Sequence, residues 1–206
     1  CIVLEDDIVV AENFLLYMNL SLNKFKDVKK IWHINGWNYD IKNIKSNNKD
    51  AFYWRGMHCW GWATWQDRWQ YYQKNPKKLL NNFKENDIKK FNYDESYNFW
   101  QQVIRNYKSK IDTWAIFWYA TIYQKKGLCV SPMESLTFNI GYDDYATHTL
   151  KTYNKNNVYS SNKFHKKKVF KFENIISENV NIYKQIKRKL KNKKIIDLFL
   201  NLLGLN

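Results

Sequence analysis

The chain opens on a short apolar run, Cys1-Ile2-Val3-Leu4, that ends in three adjacent carboxylates, Glu5-Asp6-Asp7. A continuous apolar run of this length reads as a buried parallel strand. Adjacent carboxylates repel one another and cannot follow such a strand unless water or a cation meets them. At the C-terminal edge of a parallel sheet they stand where α/β folds bind ligands. Hard oxygen ligands suit Mg2+ or Mn2+, and such a metal in turn neutralises a diphosphate. A solvated turn accounts for the tripeptide equally well.

The rest of the chain supplies strands and helices in alternation. Ile8 to Val10 resumes the apolar run, and Glu12-Asn13 leads into a helix with Phe14, Leu15, Met18 and Leu22 on one broad face. Lys30 to Ile34 reads as a second strand, closed by the turn signal Asn35-Gly36. Asp40 to Asp50 is polar and aperiodic, a loop. Short helices are expected at Lys77–Phe83, Asp94–Lys108 and Trp114–Lys126, the last stopped by Gly127. Leu128 to Ser131 is a short strand, and Asn139 to Thr149 a loop bearing Gly and Asp. The low counts of Gly (6) and Pro (2) argue against a turn-rich all-β sandwich.

Ala51 to Trp69 reads AFYWRGMHCWGWATWQDRW and fits neither a period of 2 nor one of 3.6. We expect a strand at Ala51–Arg55, a loop over Gly56–Gly61 and a helix from about Thr64. Aromatic faces stack on the C–H faces of sugars, so Trp60 and Trp62 suit a carbohydrate, while ordinary core packing is the other reading. Gly61 between them suggests close backbone approach, to a ligand or a strand. Arg55, Arg68 and His58 are cationic or polar groups able to meet phosphate, at positions that the sequence does not fix.

Four stretches in order carry a resemblance. Ile2-Val3-Leu4-Glu5-Asp6-Asp7 resembles the metal-binding motif of GT-A glycosyltransferases, the Asp-X-Asp class in its Glu-Asp-Asp form, with Asn13-Phe14 at the start of the next helix. Trp60-Gly61-Trp62-Ala63-Thr64-Trp65, with Asp67-Arg68-Trp69, is similar to the Trp-Gly-Trp-Ala-Thr-Trp signature of a bacterial sugar-transferase family. Asp112-Thr113-Trp114 with its aromatic helix resembles that family's acceptor-side segment. Asn139-Ile140-Gly141 with Ala146-Thr147-His148-Thr149 resembles its closing loop. The resemblance covers about residues 1–150.

It implies an α/β, GT-A-like fold, here a partial nucleotide-diphospho-sugar transferase fold missing the N-terminal nucleotide-binding strands. On that view the sequence starts inside a larger fold and the isolated chain turns over little. Asp7 would bind the metal, Mn2+ or Mg2+. Glu5 and Asp6 would hold the ribose or metal-bound water, and Trp60, Gly61 and Trp62 would line the donor side. His148 would add a neutral imidazole at the metal or diphosphate. Asp112 is the candidate general base of an inverting transfer, taking the acceptor hydroxyl proton, with neighbouring Trp residues excluding water; an N-cap for the following helix is its alternative role. Asp94 and Glu95 are weaker candidates for the base.

Beyond Leu150 the character changes. Lys151 to Lys171 is a Lys-rich arm, and Asn179 to Leu203 a basic helix with an apolar last third, so the domains expected are 1–150 and 151–206. The net charge of +15 suggests an anionic partner, although abundant Lys and Asn also follow from an A/T-rich genome. The terminal helix suits either an anionic membrane surface or docking on its own domain. Cys1, Cys59 and Cys129 show no metal-ligand spacing, which fits a reducing compartment. No run reaches the ~20 apolar residues of a membrane span. The expected location is cytoplasmic or peripheral at the inner face of the cytoplasmic membrane.

The expected function is metal-dependent transfer of sugar from a nucleotide-diphosphate donor to a glycan or glycolipid acceptor, in surface polysaccharide synthesis. The alternative is a non-catalytic basic module binding carbohydrate, membrane or nucleic acid. Nucleic acid is disfavoured, since carboxylates at the centre of such a site repel phosphate.

Overall fold

The apolar run at the start forms a strand over Ile2–Val3 (β1), and the carboxylates occupy the turn before Ile8–Val10 (β2). Then come helix Phe14–Phe25 (α1), Ile31–Asn35 (β3), Ala51–Trp54 (β4), Trp62–Ala63 (β5), Gln66–Trp69 (α2), Pro76–Asn82 (α3) and Glu85–Phe91 (α4). Trp100–Tyr107 (α5), Ala115–Gln124 (α6), Leu128–Pro132 (β6), Thr137–Asn139 (β7) and Val180–Leu202 (α7) complete the order. This computed structural model describes residues 1–41, 49–140 and 169–202, with side chains as far as residue 193. The chain is a mixed α/β protein of two compact units, Cys1–Gln70 with Lys126–Asn179, and Tyr71–Lys125 with Val180 onward. This division cuts across the expected boundary at residue 150.

The first unit is built on a five-stranded sheet in the order β1-β5-β3-β6-β4. β3 and β6 are parallel, with Ile34 opposite Val130, and the other pairs are antiparallel. Both strands of the parallel pair are buried along their length, as their unbroken sequences require. α1 covers the sheet with Phe14, Tyr17, Met18, Ser21 and Phe25. Leu15, expected on that face, is 56% exposed. The ring of Phe170 lies 5.1 Å from Tyr17, and that of Phe172 lies 5.4 Å from Phe25. Residues 169–179 thus form a strap over the core. The strap is pinned by paired hydrogen bonds between Asp50 and Lys171 and by Arg55, whose Nε and NH2 donate to Glu178 at 2.7 and 2.6 Å.

The expectation of a buried parallel strand at the start is corrected. β1 lies at the edge of the sheet, half-buried and antiparallel to β5, with Ile2 opposite Ala63. Gly61 has φ +67°, which turns the chain so that Trp62–Ala63 takes the place beside β3.

The second unit is helical. Asn75 caps α3 by accepting from the Lys78 N–H at 2.9 Å, and Pro76 stands in its first turn. Its core is aromatic: Phe91 stacks on Tyr119 at 4.4 Å, and Phe83 on Trp100 at 4.9 Å. The helix expected from Asp94 starts only at Trp100, because Tyr93, Asp94 and Glu95 all have positive φ. α7 docks on this unit through Ile182, Tyr183, Ile186 and Leu190. Of the expected Lys-rich arm, residues 151–168 lie outside the described residues.

Candidate functional site

Asp7 sits at the mouth of a two-stranded ribbon, β2 with β7, in which Ile8 faces Asn139. The ribbon fixes its main chain, since the Ile140 N–H donates to the Asp7 carbonyl at 2.9 Å. The Asn139 side-chain amide donates to Asp7 Oδ2 at 3.0 Å. Oδ1 is buried and has no hydrogen-bond partner among the described residues. A buried oxygen of this kind is costly unless something meets it. Glu5 is half-buried and Asp6 exposed. Glu5 and Asp7 both act on Cys59: burial pushes its thiol up to about 12, and the two carboxylates add to the rise. The thiol is therefore protonated at neutral pH.

The Trp-rich loop meets the same place. Thr137 Oγ1, on β7, donates to the Trp60 carbonyl at 2.9 Å. The Gly61 carbonyl accepts from the Gly36 N–H at 2.7 Å. A Cβ on Gly36 would stand 2.6 Å from that carbonyl, so the two backbones approach as only glycine permits. The acidic turn, the Gly61 loop and Asn139 are thus brought together by β2, β5 and β7.

The Trp side chains divide between core and rim. Trp62 is buried and stacked on His33 at 5.1 Å, so its face is already used. Trp60 is half-buried, edge-on to Trp37 at 5.1 Å. His58, also in the loop, is packed by Trp37, Tyr39 and Trp54 at 4.6, 5.1 and 5.6 Å. Its main-chain N–H donates to Asn35 Oδ1 at 2.7 Å, and its carbonyl lies 3.0 Å from the Nε2 of His33. Burial holds both imidazoles far below the usual range, at about 3, and each is neutral. The sequence marked Asn35 only as part of a turn signal and Asn139 only as part of the closing-loop resemblance, and it marked His33 only as a strand residue.

The cationic candidates are committed elsewhere. Arg55 pairs with Glu178, and Arg68 is buried against Asp67 and the Lys26 carbonyl.

Asp112 belongs to the second unit. Its side chain is 88% exposed and paired with Lys74. The expectation that Trp residues exclude water from it is corrected, and so is its capping role. Helix α6 begins after Trp114 without a side-chain cap, and Thr113 is held by Asn106 instead. Asp94 accepts from Tyr183 and Lys187, and Glu95 is exposed. His148, with Gly141 and the Ala146–Thr149 stretch, lies outside the described residues.

No group of three or more His, Cys, Asp or Glu side chains able to hold a metal occurs among the described residues. Mg2+ and its congeners are commonly held by one or two carboxylates, with the remaining positions taken by phosphate and water. An unpartnered carboxylate oxygen on Asp7, beside Glu5, fits that donor set.

The molecule is thus a mixed α/β protein with an acidic turn facing a Trp-Gly-Trp loop. Compared with known proteins, the sequence matches no family model and no curated relative.

Proposed function

We propose that the chain is the metal-binding and acceptor-side part of a GT-A-type glycosyltransferase, moving sugar from a nucleotide-diphosphate donor to a glycan or glycolipid. The observation that carries this is the Asp7 carboxylate, fixed by Asn139 through Oδ2 while Oδ1 is buried without a partner among the described residues. Asp7 would hold Mn2+ or Mg2+, with Glu5 and Asp6 toward the ribose or metal-bound water. Bound metal supplies neutralisation of the diphosphate leaving group. Trp60, half-buried beside the turn, supports the sugar-stacking role better than Trp62, whose face is spent on His33. Asp112, in the second unit and paired with Lys74, is the proposed base on the resemblance of Asp112-Thr113-Trp114 to an acceptor-side segment alone.

Calorimetry with UDP, in the presence and absence of Mn2+, tests this. Heat that requires Mn2+ and vanishes in Asp7→Ala is the expected result. UDP binding indifferent to Mn2+, in a folded protein, sinks the proposal.

A non-catalytic carbohydrate-binding module is less well supported. Trp37, Trp54, Trp62 and Trp118 are all buried in the core, which leaves few indole faces for a glycan.

A further inference from the structure

The helical unit closes one of its ends on a set of exposed cations. Helix α5 ends at Tyr107, and Ser109, with φ +53°, turns the chain back. The Lys110 N–H then donates to the Arg105 carbonyl at 2.9 Å. Asn106 holds Thr113 twice, donating to its Oγ1 at 2.9 Å and accepting from its N–H at 3.0 Å. Asp112 is carried on this closed turn, and its pairing with Lys74 brings in the segment before α3. Tyr71, in that segment, is 46% exposed, and the Lys125 ammonium stands 3.9 Å from its ring centre. Tyr107 is 51% exposed.

Segments 71–75 and 101–125 thus set Lys74, Arg105, Lys108, Lys110 and Lys125 against a single carboxylate, Asp112. Arg105, Lys108 and Lys110 are exposed and meet no carboxylate among the described residues. One cation would complement the carbonyl end of α5. Three so close together repel one another, which favours an anion that joins them.

We infer that this end of the unit binds a sugar chain bearing negative charge, phosphate or carboxylate, and that the acceptor of the proposed transfer is such an acidic glycan. The tyrosine rings suit the C–H faces of sugars. The Asp112 carboxylate accepts hydrogen bonds from sugar hydroxyls, and the cations meet the acidic groups. Nucleic acid is the poorer complement, because an exposed carboxylate among these cations repels a chain with a phosphate at every link. Only the word acceptor rests on the transferase reading; the binding itself does not.

Calorimetry of the full chain with trigalacturonate, its neutral methyl ester, mannose 6-phosphate and inorganic phosphate provides the test. At least one of the two acidic sugars binds, roughly tenfold or more tighter than both the ester and inorganic phosphate, and the tighter of the two names the acidic group. The combined change Arg105→Gln, Lys108→Gln and Lys110→Gln, all at exposed positions, lowers that affinity by roughly tenfold and leaves far-ultraviolet circular dichroism unchanged. Tyr107→Ser lowers it by roughly fivefold. Three results overturn the inference. These are no binding of either acidic sugar, equal binding of the ester or of inorganic phosphate, and an affinity that ignores either set of changes in a folded protein. If poly(U) binds more tightly than the acidic sugars and the cation changes abolish that binding, the cluster is a nucleic-acid surface instead. Acidic-sugar binding that needs the cations, beside UDP binding indifferent to Mn2+, sinks the transferase reading alone.

Discussion

Asn139 donates its side-chain amide to Asp7 across 132 residues of chain, at 3.0 Å, and engages only one of the two carboxylate oxygens. The other is buried without a partner among the described residues. That asymmetry separates a ligand role from a structural one.

Asp7→Asn keeps the shape and removes the charge. If the carboxylate serves only as an acceptor for Asn139, nothing further changes. As a metal ligand, its loss abolishes Mn2+-dependent nucleotide binding while unfolding free energy stays within about 1 kcal/mol of the parent. Urea denaturation alongside calorimetry measures both. Unaltered Mn2+ dependence in the Asn variant would exclude Asp7 as a ligand.

Gly61→Ala is expected to destabilise the first unit. The residue has φ +67°, and a Cβ there would lie 2.7 Å from Thr137 Cγ2. Left-handed backbone and crowding together cost about 2–4 kcal/mol. A urea midpoint equal to that of the parent would mean that the turn relaxes freely.

Stability falls on acidification because of His33 and His58. Their folded values near 3 lie below the unfolded value of 6.5, so the unfolded chain binds more protons between these limits. Stability is complete above pH 6.5 and declines as pH falls toward 3, by about 1.4 kcal/mol per pH unit for each imidazole. His58→Gln should roughly halve the slope measured by denaturation across that window. A slope equal to the parent's would show that His58 is charged when folded or releases its proton without cost.

Asp112→Asn separates catalysis from structure at an exposed position. Its pairing with Lys74 is open to solvent, so unfolding should move by no more than about 0.5 kcal/mol. As general base, its loss lowers transfer on the order of a hundredfold or more. A transfer rate equal to the parent's leaves the proton to another group.

Elements whose signal is local were legible in the sequence. β3, β4 and β6 are apolar runs bounded by turn residues, and α6 is an aromatic block stopped near Gly127. Helix α4 was missed because Glu85–Phe91 offers only Ile88 and Phe91 as apolar residues, too few to show a period. The direction of β1 was hidden for another reason. Its partner is chosen by the Gly61 turn almost sixty residues away. In the candidate site, the charge at Asp7 could be read, but its partner could not. An Asn in a loop carries no mark of what it will bind, and pairing across so long a stretch of chain is set by the whole sheet.

The place of β6 between β3 and β4 has a consequence for the order of events during synthesis. β3 and β4 are each made long before the strand that joins them. At about 5–20 residues per second, roughly 4–16 s pass between the emergence of Trp54 and that of Pro132. Through that interval two of the most apolar segments of the nascent chain lack their shared neighbour, while the helices between them need only local contacts. Ribosome-bound chains stopped near residue 120 should therefore be cut by protease within 31–54, and chains extended through the strap should resist. Equal resistance at both lengths would mean that these strands find shelter before their partner arrives.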